Sequence, residues 1–330
     1  MKKFIETLKN CWKVEDLRQR LLITILFTAI YRFGSFVVLP GINPALLEKL
    51  QSQTAGGLMS LLDMFSGGAF SNASIFALGI MPYISASIVI QLLAVAVPYF
   101  QKMQREGESG RKKINWYTRW LTIAILFFQA PSYLINLKYQ ASQALASGIS
   151  WTAFMIPATI ILAAGSMFIL WLGERITDKG VGNGISLIIM IGIIARLPQA
   201  LIQEFSNRVS AAIGGGIVML IIEIIVLYAV VCAALLLVQG TRKIPVQYAK
   251  RVVGNKQYGG ARQYIPLKLF AANVMPIIFA QALMFIPLAI VQYSSDNTSP
   301  VLQSLMNTKS LAYNCIYVLL IVVFTYFYTA

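Results

Sequence analysis

Eight stretches of largely apolar residues, near 21–39, 74–97, 120–137, 151–172, 185–201, 213–238, 269–291 and 311–330, restrict the fold of this chain more than any other feature. Each approaches the roughly 20 residues that a helix needs to cross a bilayer. A water-soluble core has no room for so much apolar side chain: 58% of the residues are hydrophobic and 12% charged, with a mean hydropathy of +0.70. The sequence therefore predicts an all-α fold, a polytopic bundle of membrane helices, because a helix satisfies its own backbone groups where no water is available.

The formal net charge of +15 is distributed rather than spread evenly. With the N-terminus in the cytoplasm, 21 of the 27 Lys and Arg residues fall in cytoplasmic segments, around 2–20, 102–119, 175–179 and 242–268. The exceptions are Arg32, Lys49, Lys138, Arg196, Arg208 and Lys309. That bias predicts an N-in orientation, and an even number of spans returns the C-terminus to the same side. The first apolar run follows a basic segment as a signal peptide would. Val37-Val38-Leu39-Pro40 nevertheless offers no small-residue cleavage site, so the run reads as a permanent helix. There is no histidine, and Cys11, Cys232 and Cys315 lie far apart without CxxC spacing. A zinc site, a disulfide framework and a His-based triad are all disfavoured, and no cofactor, metal or enzymatic role is expected.

Several segments depart from a simple row of spans. Phe4, Leu8 and Trp12 recur at helical spacing among lysines, which reads either as an amphipathic helix over 1–16 lying in the headgroup plane or as a frayed tail. Between the first two spans, Gly56-Gly57 and Ser66-Gly67-Gly68 bracket an apolar core too short to cross, Leu58 to Phe65. It is either a surface turn or a re-entrant half-helix, and the latter requires a surrounding cavity. The second span carries Gly79, Pro82 and Pro98, and the seventh Pro276 and Pro287, so both should be interrupted. The polar stretch 239–268 is basic, includes Tyr248, Tyr258 and Tyr264, and can turn into a hairpin at Gly254-Asn255. It is either a solvated loop or a docking platform for an anionic partner.

Glu223 is the one carboxylate placed clearly inside a span. It is either an ion or proton site or the partner of a basic residue on another helix, such as Arg32 or Arg196, and the structural pair is favoured. The glycine-rich stretch Trp171 to Ser186 lacks the strand and the GK[ST] ending of a phosphate loop and reads as a tight turn between spans four and five.

That same stretch, Gly173-Glu174-Arg175-Ile176-Thr177-Asp178-Lys179-Gly180-Val181-Gly182-Asn183-Gly184, resembles the connection between the fourth and fifth helices of the SecY family of protein-translocation channels. In the same order, Met64-Phe65-Ser66-Gly67-Gly68-Ala69-Phe70, Ala77-Leu78-Gly79-Ile80-Met81-Pro82-Tyr83, Glu106-Gly107-Glu108-Ser109-Gly110-Arg111, Arg242-Lys243-Ile244-Pro245-Val246-Gln247-Tyr248 and Pro266-Leu267-Lys268 resemble that family too. The resemblance covers essentially the whole chain. It implies an inverted repeat: a five-helix half over 17–209, including a plug over 56–72, and helices six to eight of a second half over 210–330, with the basic loop 239–268.

The resemblance also implies roles. Leu61, Leu62, Met64, Phe65, Ser66, Gly67 and Gly68 would belong to the plug. Ile80, Ile84, Ile189 and Ile278 would form the pore ring, and Ile80 and Ile84 share a helix face at i, i+4. Ser85, Ser87 and Ile286 would line a lateral gate between the second and seventh helices, and Arg242, Lys243, Lys250 and Arg251 would dock the ribosome or the SecA motor. SecE and SecG subunits, signal peptides, nascent chains and membrane lipids complete the implied partners, and the bacterial plasma membrane is the implied location. The family has ten spans, so a chain ending after the eighth reads as C-terminally shortened. An ion-coupled secondary transporter built around Glu223, or a membrane scaffold that conducts nothing, are the competing functions.

Overall fold

The computed structural model describes residues 12–47, 63, 66–140, 144–145, 150–209, 216–247, 251–253, 256–258, 262–270, 272, 276–277, 279–281, 283–284 and 310–329. The amphipathic segment before Trp12, most of 48–65, and Ile278 and Ile286 lie outside the described residues. The chain divides into two compact units, Met1–Pro198 with Gln281–Tyr317, and Gln199–Ala280 with Val318–Ala330.

In the first unit, α1 (Glu15–Gly34) begins with Glu15 and Asp16 and ends with Arg32, charges that complement the helix dipole at both ends. Residues 74–80 were expected to open the second span, but they form turns instead, with Gly79 at φ +55°. The helix itself, α2 (Met81–Ala96), starts where Pro82 occupies the first turn and needs no donor. It stops at Val97, which is extended at φ −111° and ψ 118° because Pro98 disfavours a helical predecessor. The chain then leaves as the short helix α3 (Pro98–Arg105), bent away by 99°.

Helix α4 (Glu108–Gln140) is much longer than its apolar run. At 33 residues it spans about 50 Å, so its basic first turns extend well past a hydrocarbon core of about 30 Å. Helix α5 (Trp151–Lys179) likewise runs through Gly173, Glu174 and Arg175. The tight turn expected over 171–186 is therefore confined to 180–183, and Asn183 caps the next helix, α6 (Gly184–Ile194), by accepting from the amides of Ile185 and Ser186. The glycines of that stretch do more than turn the chain. A Cβ on Gly184 would meet the Gly173 carbonyl oxygen at 2.0 Å, so their spacing sets how closely α5 and α6 pack. Helix α7 (Leu197–Val209) follows, and from Gln199 onward its residues belong to the second unit. Within the first unit, α2 packs on α4, α4 on α5, α5 on α6, and α1 on α5 and α6.

In the second unit, α8 (Gly216–Gln239) leads into a two-tier hairpin. Strand β1 (Thr241–Gln247) pairs antiparallel with β4 (Arg262–Lys268), from Thr241 opposite Lys268 to Gln247 opposite Arg262. Strands β2 (Arg251–Val253) and β3 (Lys256–Tyr258) continue it towards Gly254-Asn255, as the turn signal implied. Helix α9 (Leu311–Thr329), of which the residues from Val318 onward belong to this unit, closes the described chain.

Among the described residues, four helical stretches are long and apolar enough to cross a membrane: Glu108–Lys138, Trp151–Lys179, Gly184–Arg208 and Val218–Gln239. The bent pair of α2 and α3 makes up to five. Of the other expected spans, α1 carries Arg18, Arg20 and Arg32, the apolar part of α9 is short, and 269–291 is only partly described.

Candidate functional site

Two apolar clusters fill the first unit, and they meet at residues 69–80. In one, Phe70, Ala73, Ala77 and Leu78 pack with Leu126, Tyr133 and Leu134 of α4 and with Phe154, Ala158 and Leu162 of α5. In the other, Tyr31 of α1, Ala69, Phe76 and Ile80 pack with Ile169, Leu172 and Ile176 of α5 and Ile188 of α6. Ile84 and Ile189, both half-buried, lie against this second cluster. Three of the four isoleucines singled out in the sequence, Ile80, Ile84 and Ile189, are thus gathered around one apolar centre. The fourth, Ile278, lies outside the described residues.

The segment leading into this centre is a tight chain of turns. Ser66 Oγ donates to the Asp63 carbonyl at 3.1 Å and accepts from the Phe70 amide at 3.1 Å. The Gly68 amide donates to the same Asp63 carbonyl at 2.9 Å, and the Ser71 amide donates to Asp63 Oδ1 at 2.9 Å. Gly67 and Gly68 sit at φ +66° and +91°, where a side chain is strained.

Groups from α1, α4 and the junction between α6 and α7 hold the segment. The Tyr31 hydroxyl donates to the Ser66 carbonyl at 3.4 Å, Arg32 Nη1 to the Gly67 carbonyl at 3.0 Å, and the Tyr133 hydroxyl to the Phe70 carbonyl at 2.9 Å. Arg196, between α6 and α7, donates to Ser71 Oγ at 3.0 Å and pairs with Asp63. Of the residues assigned to this segment by resemblance, Ser66, Gly67 and Gly68 are described, while Leu61, Leu62, Met64 and Phe65 are not. Sequence reading passed over Asp63 and Tyr133, and named Arg196 only as a candidate partner of Glu223. The signal available for Asp63 was a lone acid inside an apolar run.

The pairing expected for Glu223 is corrected in its partner. Its carboxylate accepts from Arg208 at 2.5 Å, and Arg208 also holds Glu204 one helical turn earlier at 2.8 Å. Arg32 and Arg196 are occupied at 63–71 instead. Spacing along the sequence could not decide which single arginine pairs with Glu223. Leu201, Phe205, Leu220, Ile224 and Leu227 surround the trio with a largely apolar groove of about 410 Å³.

At the opposite, basic end of α4, Arg119 grips Glu174 of α5 through both carboxylate oxygens at 2.7 Å. On α2, Ser85 and Ser87 are half-buried, and Ser87 Oγ accepts from Gln91 at 3.1 Å; Ile286 is not described. Arg242 and Lys243 are exposed on β1, and as neighbours in a strand they point to opposite faces of the hairpin. Arg251 lies in β2 opposite Tyr258, and Lys250 lies outside the described residues. Among the described residues no group of His, Cys, Asp and Glu could hold a metal ion.

A family model described as SecY matches residues 74–330. The protein translocase subunit SecY of Aquifex aeolicus is 40% identical over 332 residues, covering 98% of this chain and 76% of the relative. That of Thermotoga maritima is 40% identical over 329 residues, covering 98% and 74%. Among solved structures, a protein-conducting channel superposes with a TM-score of 0.60 at 20% identity, covering 93% of this chain and 69% of that one. Sec61 from a canine ribosome–channel complex of the endoplasmic reticulum superposes with a TM-score of 0.55 at 21% identity, covering 84% and 60%.

Proposed function

We propose a residue-level mechanism for a chain that belongs to the SecY family and is a multi-pass membrane subunit of a protein-translocation channel. Ile80, Ile84 and Ile189, with Ile278 as a fourth member, form the constriction through which an extended polypeptide passes. The observation that carries this reading is the shared cluster: Ala69, from the segment assigned to the plug, is fully buried in the same apolar centre as Ile80, and Ile84 and Ile189 pack against it. A branched aliphatic ring can close on a moving chain yet offers an ion nothing to replace its hydration shell, so leakage stays low. With 56–72 in place the constriction is covered, and displacing that segment opens it.

Apolar segments of the substrate leave sideways between α2 and the apolar stretch 269–291, past Ser85, Ser87 and Ile286. Transfer into lipid is favoured by roughly 25 cal/mol per Å² of apolar surface removed from water. The bend at Pro98 and the non-helical stretch 74–80 leave α2 flanked by joints at both ends, as a moving wall requires.

The exposed Arg242 and Lys243, with Lys250 and Arg251, dock the ribosome or the SecA motor, and the energy for transport comes from that partner. A complex of a related channel, Sec61, with a ribosome supports this assignment. SecE and SecG are the expected companion subunits, and the bacterial plasma membrane, with the N-terminus in the cytoplasm, is the expected location. The transporter alternative is not supported, since Glu223 is already held by Arg208.

The test is ion leak. Replacing Ile80 and Ile84 together by Gly in channels reconstituted into vesicles should raise resting ion efflux while preprotein transport persists, and unchanged efflux would refute the gasket.

A further inference from the structure

The carboxylate of Asp63 is buried, its side chain only 3% exposed, while 47% of the side-chain surface of its partner Arg196 is left uncovered by the chain. That asymmetry matters. A carboxylate left in an apolar setting without a partner is penalised heavily, whereas an arginine at the margin loses little by being released. The segment 63–71 is therefore stable in its seat only while Arg196 stands over it, and once displaced towards water Asp63 no longer needs that partner.

Arg196 also reaches the far end of the same turn. It donates to Ser71 Oγ at 3.0 Å, and the Ser71 amide returns to Asp63 Oδ1 at 2.9 Å, so acid, serine and guanidinium close a ring. Arg32 acts differently: it donates to the neutral Gly67 carbonyl and rests over the Phe36 ring at 5.2 Å. The two glycines make room for both arms. A Cβ on Gly67 would stand 2.9 Å from Arg32 Nη1 and 3.1 Å from the Gly192 Cα, and one on Gly68 would stand 3.2 Å from Arg196 Nη2.

We propose that Arg196 and Asp63 are an ionic latch that fastens the segment 56–72 over the constriction, with Arg32 as a fixed support. The latch rests on the reading of that segment as the plug. Arg196 is a positioning residue: it acts on the pore through the segment it holds. Its consequence is graded opening: a passing chain must separate one charge pair, and the exposed guanidinium is the side from which water enters to complete the separation.

The test uses channels purified with the subunits that accompany them and reconstituted into vesicles, with the native cysteines replaced by Ser and Ala69→Cys as a reporter. Ala69 is fully buried, so its alkylation by a membrane-impermeant maleimide measures displacement of the segment. Arg196→Gln and Asp63→Asn should each raise resting alkylation and ion efflux by about tenfold or more, the change expected from losing a hydrogen-bonded charge. The double variant should be no leakier than either single one, because it leaves no orphaned charge. Arg196→Lys, which keeps the charge, should stay near the parent. Deletion of 57–70 separates the two claims. If the deletion leaks and the single variants do not, the latch is wrong and the plug stands. A silent deletion overturns both, and singles that multiply in the double variant overturn the latch.

Discussion

The hydrogen bond from Tyr133 to the Phe70 carbonyl gives the most direct measure of how firmly the turn at 66–74 is seated. Tyr133 is 5% exposed, and its ring lies edge-on to Phe70 at 4.8 Å. Tyr133→Phe keeps that packing and removes only the hydroxyl, which leaves the Phe70 carbonyl with the Ala73 amide as its remaining donor at 3.2 Å. The cost is therefore that of one net hydrogen bond, about 0.5–1.5 kcal/mol. Tyr133→Ala adds a cavity and should cost about 3–5 kcal/mol. If the bond is lost only when the turn opens locally, the open population in Tyr133→Phe rises about 2–12-fold, since about 1.4 kcal/mol is tenfold. Hydrogen–deuterium exchange of the peptide covering 66–74 reads that population, since exchange in a locally opening segment follows its opening free energy. Peptides from α5 should be unaffected, because the Phe70 carbonyl is not one of its groups. Exchange at 66–74 indistinguishable from the parent, inside the error of additive effects, would mean that the Ala73 amide suffices for the carbonyl and that the turn is not held by Tyr133.

Three further outcomes are expected. Glu223→Gln should leave preprotein translocation undiminished, because Arg208 retains Glu204 as a partner; loss of transport coupled to a change in proton or sodium dependence would revive an ion site. Arg242→Glu combined with Lys250→Glu should weaken binding of ribosomes or SecA to vesicles carrying the channel, most visibly at low salt, and parental affinity would remove the hairpin from the docking surface. Gly165→Ala should destabilise the first unit by about 1–3 kcal/mol or more, seen as a lower melting temperature in detergent. Its Cβ would lie 2.1 Å from the Ile75 backbone carbonyl, and backbone cannot swing aside as a side chain can.

What the sequence made legible follows from which forces act locally. The positions of Pro82 and Pro98 decide where α2 starts and ends, and the structure agrees on both, with strands β2 and β3 paired on either side of Gly254-Asn255. Helix ends facing water were misjudged for the same reason: hydropathy marks where lipid ends, while the helices α4 and α5 continue past it, because Glu108–Arg119 and Gly173–Lys179 contain nothing that breaks a helix and Arg119 ties the two extensions together through Glu174. The partners of Arg32, Arg196 and Arg208 were not legible at all. Each is a single base in or beside an apolar run, and the choice among Asp63, Glu223 and a bare carbonyl depends on how the helices pack, which neither spacing nor charge encodes. Family resemblance pointed to Ser66, Gly67 and Gly68 but not to the reason for two adjacent glycines. The structure supplies one: at φ +66° and +91° they turn the chain, and having no side chain they let two guanidinium groups approach it closely. Backbone freedom and electrostatic access are thus the same requirement at this site, so a substitution that relieves one without the other, such as Gly68→Asn, which tolerates positive φ but fills the space beside Arg196, should still loosen the segment.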